Sequence, residues 1–317
     1  MSFLKNSILF SKNLHNIIKE KPFTICDVGG RGNLVEPWKS LKEINPKIID
    51  IIGFEPDEEE CIRLNNTNQG KYFPYALWNS NQEISLNIAE EPSTSSIHPP
   101  NFPLLKDFPE QQWKPRITKK IIKVTGKTLD GIVSENKYDF DFMKIDTQGS
   151  EFEILEGSKN TFENNCFGCT LETWTNEVHK GQRLSFDIMK KMHELGFCFF
   201  DLQKGASWRR KFANKLLKSK GEAIGLDFLY FKNYQKFFDS NPSIEKVGKA
   251  AAISDVWGFP HFSIQLIELY KEKYDDSTLD PLKLEILKLR TKNRLNRAWE
   301  KFRIKVLGDK PAFPNIH

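Results

Sequence analysis

The chain alternates short apolar runs with segments of helical periodicity. Runs rich in β-branched and aromatic residues predict strands. They lie at 23–28, 48–54, 71–77, 84–88, 139–145, 167–174, 197–202 and 226–232. Helical patterns separate several of these runs, and strands that alternate with helices form a parallel sheet with helices on both faces. We therefore predict an α/β fold.

The pattern changes at about Pro242, after which only helical periodicity remains. At Asp280-Pro281 the sequence predicts an N-cap followed by the first residue of a helix. A length of 317 residues suits one large core or two domains. We predict an α/β domain at 1–235 and a helical C-terminal extension at 236–317.

The composition predicts a packed soluble protein, with 39% hydrophobic and 12% aromatic residues. No run approaches the roughly 18 apolar residues of a transmembrane helix. The N-terminus lacks the uninterrupted apolar core of a signal peptide, so we expect a cytoplasmic protein. Five cysteines, an odd number, predict reduced thiols rather than a disulfide framework.

The segment K-I-D-T-Q-G-S-E at 144–151 carries the strongest chemical signal. Its aspartate, Asp146, ends an apolar strand, and a glycine turn follows before a second acid opens a helix. Ligands of open α/β sheets bind outside the carboxyl ends of the strands, which places Asp146 at the lip of a cleft. The alternative is that Asp146 only caps the helix.

Two further acids belong to strand ends upstream of this segment. The first strand ends in D-V-G-G-R-G at 27–32, where glycines allow a ligand to approach the backbone closely. The second ends at Glu55, a little over twenty residues beyond Gly32. An acid at that point binds ribose hydroxyls in mononucleotide-binding units. Together the two segments predict a bound nucleoside.

The absence of one glycine from the first motif helps to predict which nucleoside binds. A dinucleotide fingerprint needs G-x-G-x-x-G, and the third glycine is absent after Gly30. Asp27 would repel a phosphate and suits a cationic or hydroxyl-bearing ligand. S-adenosylmethionine fits that charge pattern, while a nicotinamide-dependent oxidoreductase on a related sheet stays an alternative.

The chain resembles the FkbM-type S-adenosylmethionine-dependent methyltransferases over about residues 20–235. The motifs that carry the resemblance are D-V-G-G-R-G, G-F-E-P at 53–56, Y-A-L-W at 75–78, T-L-D at 128–130, D-F-M-K-I-D-T-Q-G-S-E-F-E-I-L-E-G at 141–157 and L-E-T at 171–173. The resemblance implies a class I methyltransferase (Rossmann-like) fold, whose last two strands form an antiparallel end. It also implies methyl transfer to an oxygen, commonly on a sugar or another polyhydroxylated acceptor.

One departure from the family pattern concerns the first glycine motif. The family usually has Ala-Asn where this chain has Gly30 and Arg31. The arginine adds a positive charge near the expected methionine portion of the cofactor. A binding protein that keeps the fold without catalysis is therefore a third hypothesis.

The predicted cofactor site combines the strand ends with an apolar wall. We expect Asp27, Gly29 and Gly32 around the methionine portion and Glu55 on the ribose. Pro56 and Asp57 would shape the adenine side. Ala76 and Leu77 would line the adenine, or else belong to ordinary core.

Methyl transfer to a hydroxyl needs a group that accepts its proton. Asp146 is the first candidate, as a base or as a metal ligand. Glu172 ends the next strand at the same edge of the sheet, and His179 follows in a loop and would titrate near neutral pH. Carboxylates from adjacent strand ends also suit Mg²⁺, so the sequence leaves proton and metal chemistry open.

Two basic stretches and one polar loop bear on the acceptor. Residues 204–220 hold seven Lys or Arg and no acid, and 283–310 hold ten against three acids, although the net charge is only +5. The stretch 204–220 predicts a basic amphipathic helix that binds a membrane surface or an anionic acceptor. The alternative for both stretches is a helix that packs on the domain and has its charges in solvent. The turn-rich segment 89–103, with Ser95, Ser96 and His98, predicts a loop over the active site or a surface excursion.

The acceptor class is predicted partly by exclusion. A nucleic-acid acceptor is disfavoured, because no D/N-P-P-Y/F motif occurs to position a flipped base. The expected partner is a sugar or glycoconjugate. The sequence does not predict the oligomeric state.

Overall fold

The computed structural model describes residues 7–32, 34–67, 69–212 and 219–291. The described strands are β1 Phe23–Val28, β2 Ile49–Phe54, β3 Lys71–Phe73, β4 Tyr75–Leu77, β5 Gln82–Ala89, β6 Thr118–Lys127, β7 Phe142–Ile145, β8 Gly168–Trp174, β9 Phe197–Trp208 and β10 Glu222–Lys232. The α-helices are Lys12–Ile17, Trp38–Ile44, Glu58–Asn66, Phe102–Leu105, Glu110–Trp113, Leu129–Asn136, Glu151–Glu156, Lys159–Asn164, Ser185–Glu194, Tyr234–Asp239, Ile244–Val256, Pro260–Tyr274 and 280–291. Single 3₁₀ turns occur at Ile8–Phe10, Pro92–Thr94 and Lys114–Arg116.

A seven-stranded sheet organises the fold, in the order β3-β2-β1-β7-β8-β10-β9. β7 runs parallel to both β1 and β8, whereas β10 is antiparallel to β8 and to β9. The mostly parallel sheet with an antiparallel end is the predicted class I methyltransferase (Rossmann-like) arrangement, and the C-terminal helices are present. β1 and β7 are almost fully buried, which explains why apolar side chains predominate in them.

Strand order reverses between β1 and β7, because β2 lies on one side of β1 and β7 on the other. Such a switch point leaves a crevice at the carboxyl ends of the strands, where ligands of open α/β sheets bind. The fold therefore brings the ends of β1, β2 and β7 to one place.

A second, three-stranded sheet has the order β4-β6-β5. The predicted strand at 71–77 is two strands, because β3 joins the large sheet and β4 pairs with β6 in the small one. β6 was not predicted. Four of its ten residues are lysines, and the Ile121 side chain is 62% exposed.

The predicted amphipathic helix at 204–220 is wrong in its first part. Residues 204–208 continue β9, so the side chains alternate across a strand instead of sharing a helical face. Trp208 ends this strand, buried in a cluster with Phe108 and Trp174. Residues 213–218 lie outside the described residues, as do residues 292–310 of the second basic stretch, of which 283–291 are helical.

The described residues fall into two compact units. One comprises 7–23, 34–50 and 234–291, and its buried Asp255 accepts hydrogen bonds from Arg290 and Ser7. The other comprises the described part of 24–32 and 51–233, with most of the large sheet. One boundary between the units falls near residue 233, close to the predicted domain boundary. Residues 7–23 and 34–50, however, group with the C-terminal helices. Independent domains at 1–235 and 236–317 therefore stay a prediction.

The five cysteines are free thiols, as predicted, and four of them are buried. No helix in the described ranges has the length and apolar character that a membrane crossing requires.

Candidate active site

A cleft opens at the carboxyl ends of β1, β2 and β7. The residues around it come from these strand ends, from β4 and β5, and from the loops after β5 and β7. They are Val28, Gly29, Arg31, Phe54, Glu55, Pro56, Tyr75, Ala76, Leu77, Leu86, Pro92, Ser93, Ser95, Ile97, Asp146, Thr147, Gln148, Ser150 and Ile154. Part of this lining is apolar, and the rest carries carboxylate, hydroxyl and amide groups.

The ends of β1 and β7 approach each other through Gly29. Gly29 has a φ of +72°, and a Cβ there would lie 1.9 Å from the carbonyl oxygen of Asp146. The Asp146 N–H in turn donates to the Val28 carbonyl at 3.1 Å. No other residue type fits this crossing without moving one of the two strand ends.

The structure explains why Gly30 replaces the alanine of the family pattern. A Cβ on Gly30 would lie 2.4 Å from the ring of Tyr72, and one on Gly53 would lie 2.1 Å from it. The Tyr72 ring fills this notch, and its hydroxyl donates to Asp27 Oδ2 at 2.8 Å. Burial, together with Asp27, raises the pKa of Tyr72, so the phenol keeps its proton.

Asp27 is a buried structural acid in this arrangement, 3% exposed and absent from the cleft lining. Lys144 on β7 lies in register with it, with Nζ 3.3 Å from Oδ1. The same ammonium donates to the Gly29 carbonyl at 2.8 Å. Burial lowers the pKa of Lys144, but Asp27 and Asp146 outweigh that effect and raise it. The pair fixes the glycine turn beside the cleft.

Glu151 closes the loop that follows β7. Its carboxylate accepts hydrogen bonds from the N–H and hydroxyl of Thr147, both at 2.9 Å, and from the Gly149 N–H at 3.0 Å. Burial raises its pKa to about 7. The turn holds Gln148 at a φ of +58°, a left-handed conformation that an ordinary residue adopts only where its surroundings enforce it.

Gln148 links two carboxylates. Its Nε2 lies 3.2 Å from Asp146 Oδ1 and 2.5 Å from Glu172 Oε2. The Asp146 side chain is 41% exposed and lines the cleft, whereas Glu172 lies behind it. Burial, with Asp146 and Glu151 nearby, raises the pKa of Glu172 well above its ordinary value. Burial and Asp146 likewise raise the pKa of Asp227, the β10 partner of Glu172, to about 6.

Glu55 lies at the cleft end of β2. Its Oε1 accepts the Asp57 N–H at 2.9 Å, and no described group donates to Oε2. Arg31 lies beside it, with Nη2 3.7 Å from Glu55 Oε1 and 2.6 Å from Asp57 Oδ2. Burial raises the pKa of Glu55 to about 7, although the Asp57 N–H and Arg31 pull it down.

The loop after β5 packs onto the loop after β7. The Ser96 hydroxyl donates to the Gln148 carbonyl at 2.7 Å, so it anchors the loop. Ser95 lines the cleft. His98 Nε2 lies 3.8 Å from Glu153 and outside the cleft lining. This segment therefore adds a polar side to the cleft, chiefly through Ser93 and Ser95.

His179 does not titrate where the sequence predicted. It is 1% exposed, and its ring packs edge-on against Trp174 with centroids 6.3 Å apart. Burial, with Arg116 nearby, lowers its pKa to about 3. The ring is therefore neutral near pH 7, and it does not line the cleft.

The structure brings six of the predicted site residues to the cleft and leaves four behind or beside it. Those at the cleft are Gly29, Glu55, Pro56, Ala76, Leu77 and Asp146; the others are Asp27, Gly32, Glu172 and His179. Sequence reasoning did not single out Gln148 and Ser150, although both stand in the K-I-D-T-Q-G-S-E segment. Both residues line the cleft, and their Oε1 and Oγ atoms are buried with no hydrogen-bond partner among the described residues.

The metal hypothesis gains no support from the geometry. Within the described part of the chain, no three His, Cys, Asp or Glu side chains are grouped so that they could hold a metal ion. Binding of Mg²⁺ by Asp146 and Glu172 stays a prediction.

The fold and the cleft at its switch point define an α/β methyltransferase-type protein, and sequence comparison identifies the family. The model of the methyltransferase FkbM domain matches residues 34–199, or 166 of 317 residues. The chain therefore belongs to the FkbM methyltransferase family. No curated protein matches it in sequence.

Solved structures show similarity at low sequence identity. The FkbM methyltransferase of Methylobacillus flagellatus KT is 11% identical, with a TM-score of 0.36, over 66% of this chain and 44% of that one. This chain thus spans less than half the length of that protein. A protein of Pyrococcus horikoshii proposed to be an RNA methyltransferase is 12% identical, with a TM-score of 0.30, over 70% and 82%. A proposed methyltransferase of Thermobifida fusca YX is 9% identical, with a TM-score of 0.33, over 71% and 79%. These values carry no argument about activity.

Proposed function

We propose that the protein transfers a methyl group from S-adenosylmethionine to a hydroxyl group of a sugar or glycoconjugate. The observation that carries this proposal is the exposed carboxylate of Asp146 in the cleft, backed by the buried, proton-retaining Glu172. Family membership supports methyl transfer over the nicotinamide-dependent alternative.

The residues of the cleft fit the cofactor. Glu55 offers Oε2 as an acceptor for ribose hydroxyls. Ala76, Leu77 and Pro56 offer an apolar surface for adenine. The unpartnered Gln148 Oε1 and Ser150 Oγ are polar groups that a ligand would satisfy.

The methionine portion would lie near Gly29, whose backbone borders the cleft. Asp27 would act there through Lys144 and the glycine turn, since its carboxylate is already bonded to Tyr72 and paired with Lys144. Gly32 stays a predicted contact.

The cofactor supplies an electrophilic methyl group on a sulfonium. The protein must hold the acceptor oxygen in line with it and take the hydroxyl proton as the new carbon–oxygen bond forms. We assign Asp146 as the proton acceptor, because it is the exposed member of the carboxylate group. Glu172 and Gln148 position Asp146, and His179, buried and neutral, takes no proton in this scheme.

Hydroxyl-rich acceptors match the polar side of the cleft. Ser93 and Ser95 face the cleft together with Gln148 and Asp146, and such groups exchange hydrogen bonds with several hydroxyls at once. This supports a sugar or glycoconjugate over an apolar acceptor.

The proposal is tested by transfer of a labelled methyl group to a panel of neutral, acidic and phosphorylated sugars. We expect activity with the wild type and a loss of about 10²–10⁴-fold in kcat for Asp146→Asn, the range for removal of a general base. Asp201→Asn, which changes an exposed carboxylate on β9, is the matched control and should retain activity. Equal activity of the Asp146→Asn and Asp201→Asn variants would refute the assignment. Cofactor binding without transfer to any acceptor would favour the non-catalytic hypothesis.

A further inference from the structure

Arg116 lies between two indole rings at the end of β8. Its guanidinium carbon is 5.6 Å from the ring centroid of Trp174 and 4.9 Å from that of Trp208. Both tryptophans belong to a buried cluster with Phe108 and Val178. Cation–π contacts stabilise the charge, but they leave its N–H donors unsatisfied.

Arg116 forms no salt bridge with a carboxylate of the described residues, and its Nη1 donates only to the Gln112 carbonyl at 2.8 Å. Its Nε is buried and has no hydrogen-bond partner among those residues. Burial lowers the pKa of Arg116 to about 10 although Glu172 opposes the change, so the side chain stays charged at neutral pH. A largely buried, unpaired charge is costly, which makes it a candidate ligand-binding group.

The position of Arg116 relates it to the proposed reaction site. Trp174 and Glu172 point to the same face of β8, two residues apart, which is about 7 Å along a strand. Glu172 contacts Gln148, which lines the cleft. The contact of Arg116 with Trp174, and the effect of Glu172 on its pKa, therefore connect Arg116 to the carboxylate group beside the cleft.

The groups in contact with Arg116 are two aromatic rings and a backbone carbonyl. Glu172 is the acid that acts on its pKa, and the raised pKa of Glu172 itself lets that carboxyl keep its proton near neutral pH. The Trp174 Nε1 is buried and has no partner among the described residues, which adds a second N–H donor. The nearby His179 is neutral, so Arg116 supplies the positive charge of this group of side chains. Together these groups suit an anionic ligand.

Arg210 provides a contrast within the same aromatic cluster. Its guanidinium carbon lies 4.8 Å from the ring centroid of Phe108, and it pairs with Asp107 at 2.8 Å and Glu222 at 2.7 Å. Arg210 is thus exposed and satisfied, whereas Arg116 is largely buried and unpaired.

We propose that Arg116, with the Trp174 N–H, binds an anionic group, a carboxylate or a phosphate, on the acceptor. The assignment of this group to the acceptor rests on the proposed function. A guanidinium matches either oxyanion by two parallel hydrogen bonds, and a charge-assisted pair at this depth would discriminate strongly against a neutral acceptor.

Binding can be measured without turnover. Titrations of glucuronic acid, glucose 1-phosphate and glucose into the protein saturated with S-adenosylhomocysteine compare carboxylate, phosphate and neutral ligands. We expect one of the two anions to bind at least about ten-fold more tightly than glucose, the equivalent of one charge-assisted hydrogen bond. The anion that binds more tightly than glucose shows whether the bound group is a carboxylate or a phosphate.

Two variants attribute the preference to Arg116. Arg116→Gln should abolish it, and Arg210→Gln, the matched control, should leave it intact. Arg116→Lys keeps the charge but not the two-pronged geometry, so it should retain part of the preference even if Arg116→Gln does not fold. An anion preference that survives in Arg116→Gln, equal binding of all three sugars to the wild type, or full preference in Arg116→Lys would overturn the proposal.

The two proposals fail separately. An anion preference that depends on Arg116, in a protein that transfers no methyl group, would leave the binding site standing and refute the methyl-transfer function. Transfer to glucose, glucuronic acid and glucose 1-phosphate with equal KM would refute the anion site and leave the methyl-transfer function standing.

Discussion

Arg31 lowers the pKa of Glu55 against the larger effect of burial, and its removal should shift the pH dependence of cofactor binding. The cleft has a volume of about 140 Å³, below the roughly 300–1,000 Å³ of most ligand pockets. Arg31 lines it and interacts with Glu55, the proposed ribose acceptor. We therefore expect this side chain to move when S-adenosylhomocysteine binds.

The magnitude follows from the 3.7 Å separation of Arg31 Nη2 and Glu55 Oε1. Two unit charges at this distance interact by about 1 kcal/mol in water and about 4 kcal/mol at an effective dielectric constant of 20. Because the Arg31 charge is also paired with Asp57 at 2.6 Å, we take the lower part of that range. About 1.4 kcal/mol corresponds to one pKa unit, so Arg31→Ala should raise the pKa of Glu55 from about 7 by at least about one unit.

The sign of the pH effect is fixed by the form of Glu55 that binds ribose. The ionised carboxylate accepts the two hydroxyls, so affinity should rise with pH through about 7 in the wild type. In Arg31→Ala the affinity should rise at a pH at least about one unit higher. Above that pH the variant should bind the cofactor at least as tightly as the wild type does, since Arg31 no longer competes for Glu55.

The assay is calorimetric titration of S-adenosylhomocysteine from pH 6 to pH 9.5. Arg31→Lys, which keeps the positive charge, is the control and should keep the midpoint near that of the wild type. A midpoint that is the same in Arg31→Ala as in the wild type would refute the coupling of Arg31 to Glu55.

Two stability predictions concern buried charged groups. Glu151→Gln replaces a hydrogen-bonded carboxylate oxygen with an amide nitrogen that cannot accept the Gly149 N–H, so the free energy of unfolding in urea should fall by about 1–3 kcal/mol. Glu156→Gln, at an exposed position, is the control, and equal unfolding midpoints for the two variants would contradict the role of Glu151. Lys232→Met should cost about 2–4 kcal/mol, because the buried ammonium donates to three backbone carbonyls, those of residues 162, 163 and 195. Lys190→Met, at an exposed position, should be near neutral, and a thermal midpoint of Lys232→Met as high as that of Lys190→Met would show that the carbonyls find other partners.

The sequence predicted the central strands of the large sheet well because they are largely buried. β1 and β8 are mostly buried along their length and rich in apolar side chains, which leaves little ambiguity about the element. β6 was missed because its lysines face solvent at the surface of a small sheet. The stretch 204–208 looked helical because Trp208 has a helical spacing to Phe212, Leu216 and Leu217.

The candidate site was predictable where it depends on strand ends. Asp146 and Glu55 lie at the cleft because each ends a strand beside the switch point, which local sequence indicates. The contact between Gly30 and Tyr72 joins residues that lie 42 positions apart in the sequence. Arg116 stacks on Trp174 and Trp208, which lie 58 and 92 positions further along the chain. A single sequence carries no signal for such contacts.

The central claim is that S-adenosylmethionine binds in this cleft with its ribose on Glu55. Calorimetric binding of S-adenosylhomocysteine to the wild type, to Glu55→Ala and to the exposed control Glu58→Ala tests it most directly, without an acceptor. We predict micromolar binding by the wild type and by Glu58→Ala, and a loss of at least about ten-fold for Glu55→Ala, the effect of one or two hydrogen bonds to a charged group. Equal affinity of Glu55→Ala and the wild type, or no binding by the wild type between pH 6 and pH 9.5, would contradict the account.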